Sequence, residues 1–538
     1  MIKIIQIMCI FISITCLYCQ EDIDLPSDLE DPVLEEDIDL PSDLEDPVLE
    51  DNIDLPSDLE EPVLDDNIDL PSDLEDPVLE DNIDLPSDLE DPVLEDNIDL
   101  PSDLEGPVSL PSDLESIPNF SDLEDSRQAH AEENKREQTF RDWLDTFPFE
   151  ISGFVEGIFG IRPQNDPLLS RDVNVGEIRF QLSIAKYYDN VSFHIKSDFY
   201  YDGYEEKPFV DLREAKIVFH PLDSLYISVG RQILSWGVSE GIFINDLFPK
   251  DFPSSFIGRD DVYFKAPSNA IRVDWNAEFA QLSFVYSPLN DEDRYIRGKR
   301  ISFVDPLGIG RGEDERLPTD EPNRWFRDNE FAWRILKNID GYELAFYGYY
   351  GYYKSPAGFD LNKNKFNFPR LFVHGTSLRG QIFDGIASFE FGYYYSREDT
   401  NGDDPLITNS QLRFLVGYEY ELLSNFVINI QYYVNFTLQY DALEDNFIAG
   451  QVEPEEALDF IIVSANKSFL RDKYNLNMFA YYSPVESDAY LQPVFTYKPD
   501  DNWRLEIGAN IFFGKENDTT FGQLERNSNI FASIRWTF

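Results

Sequence analysis

From Phe149 onward, apolar and polar residues alternate with a period of two along almost every stretch. In 177–186 (EIRFQLSIAK), Ile178, Phe180, Leu182 and Ile184 share one parity, while Glu177, Arg179, Gln181 and Ser183 share the other. After Asp189-Asn190, a two-residue hairpin turn, the pattern resumes. Val191, Phe193 and Ile195 then alternate with Ser192, His194, Lys196 and Asp198. Successive side chains on a strand point to opposite faces, so each such stretch predicts a strand with one apolar and one polar face. Eighteen strands are predicted, at 149–162, 173–189, 190–203, 211–221, 224–236, 267–276, 278–287, 328–338, 341–353, 368–383, 385–396, 409–422, 425–439, 457–470, 473–483, 487–498, 502–513 and 526–538.

Parity alone would also fit a soluble sandwich; length and loop asymmetry discriminate. Most of these stretches reach ten residues or more, whereas strands of soluble sheets usually have about five or six and a tilted membrane-crossing strand needs about ten. Every second connection is tight (for example 189–190, 338–341 and 471–472), while the others include the long segments 237–266 and 288–327. An even strand number with short turns on one side and long loops on the other predicts an all-β fold. The specific expectation is a transmembrane antiparallel β-barrel of about 18 strands over 148–538. Its apolar parity faces lipid and its polar parity a wet lumen. Aromatics near the predicted strand ends (Tyr187, Tyr188, Tyr200, Tyr201, Trp236, Trp275, Tyr286, Tyr395, Tyr481, Tyr482, Trp503) are expected to form the interfacial girdles. The last stretch, Asn527 to Phe538 (NSNIFASIRWTF), puts Ile530, Ala532, Ile534, Trp536 and Phe538 on one parity. A strand ending on Phe538 resembles the closing strand of bacterial outer-membrane barrels, which implies recognition by the barrel-assembly machinery.

Composition divides the chain unevenly. Residues 21–126 hold 41 of the 104 Asp and Glu and no Lys or Arg, against a net charge of −61 for the whole. Leu-Pro recurs at 25, 40, 55, 70, 85 and 100, around the unit I-D-L-P-S-D-L-E-D-P-V-L-E-D-N. Two prolines per unit break helices, and dense like charge extends a chain with too few aliphatics to bury. Residues 21–125 are therefore expected to be a disordered acidic repeat tail on the periplasmic side. A low-affinity calcium sponge and a multivalent docking element for a periplasmic partner are the alternatives. Residues 1–20 read as a signal peptide, with Lys3 before the apolar run Ile4 to Ile14 and a small-x-small site at Ser13-Ile14-Thr15. All three cysteines (Cys9, Cys16, Cys19) lie there. A short amphipathic helix is expected over 126–147, carried by Phe140, Trp143, Leu144 and Phe147, with Pro148 ending it. The acidity argues against nucleic acid, whose binders need a basic face.

An eighteen-stranded barrel is wide enough for an aqueous channel. The candidate pore-lining charges are Arg179, Lys196, Lys216, Arg272, Arg334, Arg379, Arg413 and Arg504, opposed on the same parity by Glu177, Asp198, Glu214, Asp274, Glu330, Glu343, Glu390 and Glu419, of which Glu177, Glu214, Asp274 and Glu330 are the foremost acidic candidates. They are balanced in sign, and each is also explained as a solvated face or one half of a cross-strand pair. The most distinctive stretch is 225–252 (LYISVGRQILSWGVSEGIFINDLFPKDF), in which Gly230-Arg231-Gln232 and Trp236-Gly237 precede a loop with Asp246, Pro249 and Asp251. That order resembles the motif of the alginate-export-type outer-membrane barrels and their porin relatives, although Phe248 stands where a small polar residue is expected before Pro249. The resemblance implies an eighteen-stranded channel for polysaccharide or small solutes; the acidic-polysaccharide members look lined by Arg and Lys, unlike the balanced set here. Loop 237–266 would be able to fold inward as a constriction.

Catalysis finds little support. His194 and His220 share a parity on neighbouring strands, as pore residues or a weak two-His metal site, and no Ser/His/acid set has persuasive spacing. Neither a catalytic site, a metal nor a cofactor is expected. The leading expectation is a passive channel in the bacterial outer membrane, embedded in its lipid and passing small hydrophilic solutes or glycans. The alternative is a surface adhesin or receptor whose long loops work on an inert barrel.

Overall fold

In the computed structural model, the described residues are Trp143 and 146–538 apart from Glu240. The signal segment 1–20, the repeats 21–125 and nearly all of the expected helix 126–147 lie outside the described residues.

Eighteen antiparallel strands form one closed sheet. In chain order they are β1 (Glu150–Ile161), β2 (Val173–Tyr188), β3 (Val191–Asp202), β4 (Lys207–Leu222), β5 (Leu225–Ile233), β6 (Pro267–Asn276), β7 (Gln281–Ser287), β8 (Glu330–Ile339) and β9 (Tyr342–Tyr352). They continue as β10 (Arg370–Ile382), β11 (Gly385–Ser396), β12 (Gln411–Leu423), β13 (Phe426–Thr437), β14 (Ala457–Phe469), β15 (Tyr474–Ser483), β16 (Asp488–Tyr497), β17 (Trp503–Phe513) and β18 (Asn529–Thr537). Each strand pairs with its neighbour in sequence, and β18 returns to β1 with Phe154 opposite Thr537 and Ile161 opposite Ile530. Gly153 and Phe538 exchange both backbone hydrogen bonds, at 3.2 and 3.0 Å. Closure leaves no unpaired strand edge, which is what allows a sheet to stand in a medium without hydrogen-bonding solvent.

The two parities separate as the alternation requires. Ile178, Val210 and Val416, at 69%, 68% and 58% exposure, stand on the outer surface with Phe159, Ile271, Phe346 and Ile507. Glu177, Arg179 and Asp198 on the other parity are almost fully enclosed. Tight turns join the strands at one end, as at Asp340-Gly341, where both residues have positive φ (50° and 85°) and match the right-handed twist of the hairpin. The longer loops emerge at the other end, although 203–206 and 484–487 there are short.

Three expectations need correction. β4 begins at Lys207 rather than 211, because Asp211 and Phe209 still pair across to Asp198 and Tyr200 before a register shift at Lys196/Ser197. β5 stops at Ile233 rather than 236, so Trp236 is not in a girdle but buried inside. Tyr200 and Tyr481 also point inward: Tyr200 lies under Arg179, and Tyr481 donates to the Gly241 carbonyl. A period of two sends adjacent residues to opposite faces, so Tyr-Tyr pairs such as 200–201 and 481–482 each supply only one outward ring.

Candidate pore and its inward loop

The lumen is organised by the segment that follows β5. Gly237 has φ +87°, a backbone state that side chains rarely adopt, and here the chain turns off the wall into the barrel. The next two amides, of Val238 and Ser239, donate to Glu390 Oε1 on β11 at 2.5 and 3.0 Å, and Asn245 Nδ2 donates to its other oxygen at 3.1 Å. Tyr394 on β11 donates to the Ile244 carbonyl at 2.5 Å, and Tyr481 on β15 to that of Gly241 at 2.8 Å. The loop then runs through a five-residue helix, α1 (Phe252–Phe256), capped by Asp251, which accepts from Ser254 N at 2.9 Å. Asn510 on β17 and Asn529 on β18 donate to the Phe256 carbonyl. Gly258, at φ +85°, passes so close to the Phe531 ring that a Cβ would lie 2.2 Å from it. Arg213 on β4 finally takes the carbonyls of Val262 and Lys265, at 3.0 and 2.8 Å.

Ion pairs hold the far side of this loop. Glu177 on β2 pairs with Arg179 at 2.8 Å and Arg300 at 3.4 Å, and also binds Arg259 of the loop. Arg179 also binds Asp198 at 2.7 Å and lies over the rings of Tyr200 and Tyr263, at 4.2 and 4.4 Å. Asp260 binds Arg504 and, at 2.9 Å, Arg535, which in turn takes Glu156 of β1 at 2.6 Å. Burial alone would lower the pKa of Arg259, but the Glu177 carboxylate holds it above its ordinary value. Beside it, burial first, then Asp260 and Glu506, push the Asp261 carboxyl up to about 6. Water reaches this side chain, yet the lumen walls surround it closely.

The second long loop clasps the first. Arg294 binds Asp211 of β4 and Asp251 at 2.8 and 3.2 Å. Its backbone exchanges hydrogen bonds with Lys250 and Phe252. Asp293 accepts from Lys250 N at 2.7 Å, and Tyr204 donates to the Lys299 carbonyl at 2.8 Å. Burial and neighbouring acids push the carboxyls of Asp291 and Glu292 up to about 6 and about 7. Between the inward loop and the wall of β13–β16 remains a cavity of about 1020 Å3, bordered also by Asp261, Lys265, Arg379 and Glu419.

The candidate residues fall into groups. Glu177, Arg179 and Arg504 tie the loop to the wall. Glu214 sits between Lys196 and Lys216 at 3.2 and 2.7 Å, and Asp274 binds Arg272 at 2.7 Å. Glu330 takes Lys354 at 2.5 Å and the Tyr349 hydroxyl at 2.6 Å. Arg334 lies 5.5 Å over Trp236, and Arg413 lies 3.8 Å over Tyr394 while donating to Gln411. Arg379 borders the cavity. Of the motif residues, Gly230 passes over the Ala215 carbonyl and Arg231 donates to the Leu212 carbonyl at 2.6 Å. Gln232 donates to the Ala270 carbonyl at 3.0 Å. Trp236 packs on Phe248 at 4.9 Å, and Asp246 holds Ser235 and Lys250 at 2.8 and 3.1 Å. The Pro249 carbonyl accepts from Ala266 N, and Asp251 caps α1. These eight positions thus shape the loop's entry and fold.

Parity reasoning overlooked Arg259, Asp260, Tyr263, Arg294 and Arg300, because loop residues have no parity. For Arg259 and Asp260 the signal was the charge triplet Arg259-Asp260-Asp261 in a segment that also holds Phe252, Phe256, Tyr263 and Phe264. His194 bonds Ser192 at 2.9 Å and His220 packs on Tyr226, and no group of three or more potential metal ligands occurs among the described residues.

No family model matches the chain, and no curated protein matches it significantly, so the resemblance of 225–252 rests on its motif alone. Among solved structures, the chain is similar to OccAB4 of Acinetobacter baumannii, at 10% identity over 73% of this chain and 98% of that one, with a TM-score of 0.45. It is also similar to OccD3 (OpdP) of Pseudomonas aeruginosa, at 9% identity over 72% and 90%, with a TM-score of 0.42. A third is a loop-deletion mutant of OmpT, an outer membrane protein of Vibrio cholerae, at 9% identity over 72% and 99%, with a TM-score of 0.35. The barrel itself is read from its own strand pairing.

Proposed function

We propose that this chain is an outer-membrane channel for passive passage of hydrophilic solutes or glycans, with the twelve charged candidates on its inner wall and the loop after β5 as its constriction. The observation that carries the reading is the combination of an apolar outer surface, a polar lumen and a loop tied across that lumen to leave a cavity of about 1020 Å3. A barrel kept only as a scaffold has no need of an ordered, polar interior path. The adhesin alternative calls for long loops free to meet a partner, whereas 288–329 is fastened to the barrel and the inner loop through Arg294, Lys299 and Arg300. In this reading the long-loop end is extracellular and the tail periplasmic. The full chain, refolded into planar bilayers, is expected to give discrete conductance steps that block reversibly with solute; a barrel that folds by heat-modifiable mobility yet never conducts would overturn the reading.

A further inference from the structure

On two adjoining strands, β15 and β16, the lumen wall carries no charge over most of its height. Residues 474–483 and 489–497 contain no charged side chain. Cross-strand register sets Asn429, Ser464, Phe479 and Gln492 in a single row over β13, β14, β15 and β16, and all four border the cavity. In the neighbouring row Tyr481 stands 5.0 Å from Phe479 with the rings at 49°, and its hydroxyl bond to Gly241 fixes the ring. Asn477 flanks Phe479 on the other side and also reaches the cavity. Among the described residues, the side-chain amides of Asn477 and Gln492 have no protein hydrogen-bond partner.

This surface makes definite chemical demands. A primary amide offers both donors and an acceptor, which suits a hydroxyl that is itself both. The aromatic rings offer flat apolar faces between those amides. An apolar occupant would cover the amides and leave them unpaired. A carboxylate would leave water for a stretch of wall that itself supplies no cation, Lys265 and Arg379 bordering the cavity from the loop and from β10. A sugar ring has apolar C–H faces and hydroxyl edges, and it satisfies both kinds of group at once. The geometry points to a binding subsite for an uncharged sugar ring, stacked on Phe479 beside the Tyr481–Tyr490 pair and held at its hydroxyls by Asn429, Asn477 and Gln492. It deepens the channel reading and depends on it only for the route by which sugar arrives.

Calorimetry on the folded full-length protein in detergent tests the subsite without relying on conductance. The probes are maltotriose, trigalacturonate and a polyethylene glycol of similar size. Maltotriose is expected to bind saturably in the millimolar range, with the other two clearly weaker. Phe479→Ala should weaken maltotriose about tenfold, as loss of a stacking platform does. Gln492→Leu, which keeps the side-chain volume, should weaken it as well, and heat-modifiable mobility checks that both variants fold. Absence of saturable maltotriose binding, equal binding of the polyether, tighter binding of the acidic trimer, or unchanged affinity in both variants would overturn the subsite. Conductance without sugar binding would remove the subsite and leave the channel; sugar binding without conductance would do the reverse.

Discussion

The wall of β2–β6 and the wall of β14–β16 are built from the same alternating pattern, yet they treat the inner loop in opposite ways. On the first, charges meet charges: Glu177 binds Arg179, Arg259 and Arg300, Arg294 joins Asp211 to Asp251, and Glu214 takes two lysines. On the second, Tyr481 donates a hydroxyl hydrogen bond to the Gly241 carbonyl, and the side chains bordering the cavity include the amides of Asn466, Asn477 and Gln492 and the rings of Phe460, Phe479 and Tyr490. The loop is therefore pinned against the charged side, and the open space lies against the neutral one. Buried ion pairs position a segment well because removing one partner is costly. A neutral wall gives no such fastening and stays available to a solute.

If that division is right, the largest effect should follow from breaking the charged side. Glu177→Gln leaves three guanidiniums around a neutral amide, and the loss of one partner in such a buried network costs about 3–5 kcal/mol. The temperature at which the folded band disappears on heat-modifiable gels should fall markedly. Gln492→Ala on the neutral wall should change stability by less than about 1 kcal/mol, as substitutions outside buried networks do. Similar melting of the two variants would remove the comparison.

Next in size is the bond that aims the loop. Glu390→Gln takes away one of the two oxygens that receive Val238 N, Ser239 N and Asn245 Nδ2. A stranded buried donor costs about 1–3 kcal/mol, enough to loosen the loop's entry while the ion pairs at Arg259 and Asp260 keep its far end in place. Single-channel records should show larger, noisier openings with the barrel still folded. Unaltered current noise would mean that Glu390 does not set the loop's position.

A third effect is graded by pH. Asp261 has its carboxyl raised to about 6 by burial, Asp260 and Glu506, and it borders the cavity. Its charge is present at pH 7 and lost as pH falls through 6, so preference for cations should decline across that window. A raised carboxyl pKa also means that the folded protein holds the proton more tightly than the unfolded chain does. Acidification through 6 therefore stabilises the loop rather than releasing it. Reversal potentials measured from pH 7.5 to 5 should show the step in the natural chain and lose it in Asp261→Asn.

The strands were legible because a closed barrel in lipid keeps a period of two along most of each strand: in the middle of β2, Ile178 and Phe180 stand outside and Glu177 and Arg179 inside. Loop asymmetry then gave the even number and the closure of β18 on β1. The path of the loop was not legible. Gly237 signals a turn, but the direction depends on Glu390, which lies 153 positions further on and reads only as one inward acid among several. Trp236 looked like a girdle residue for the same reason, since only the early end of β5 sends it inside. The neutral sector was written plainly in 474–483 and 489–497 as an absence of charge, yet its meaning needed the register that aligns Asn429 with Ser464, Phe479 and Gln492.

The smallest expected change is also the sharpest test of the neutral wall. Asn477→Asp alters one amide into a carboxylate of nearly the same shape, beside Phe479 and facing the cavity. Asn466 lies directly across from it on β14 and Val494 on β16, so no strand neighbour offers a cation. Water in the cavity keeps the added charge solvated, and stability should move by no more than about 0.5 kcal/mol. Ion selectivity should shift toward cations, because a new fixed charge now borders the open path while the ion pairs opposite are already neutralised. Salt gives the discriminating control. A lone charge in water is screened over about 10 Å at 0.1 M and about 3 Å at 1 M, so the shift should shrink at high salt. The same change made within a paired site, such as Lys196→Gln beside Glu214, frees an acid whose other partner Lys216 remains, and its selectivity shift should be smaller. A larger shift from Lys196→Gln than from Asn477→Asp would place the ion path along the charged wall and not the neutral one.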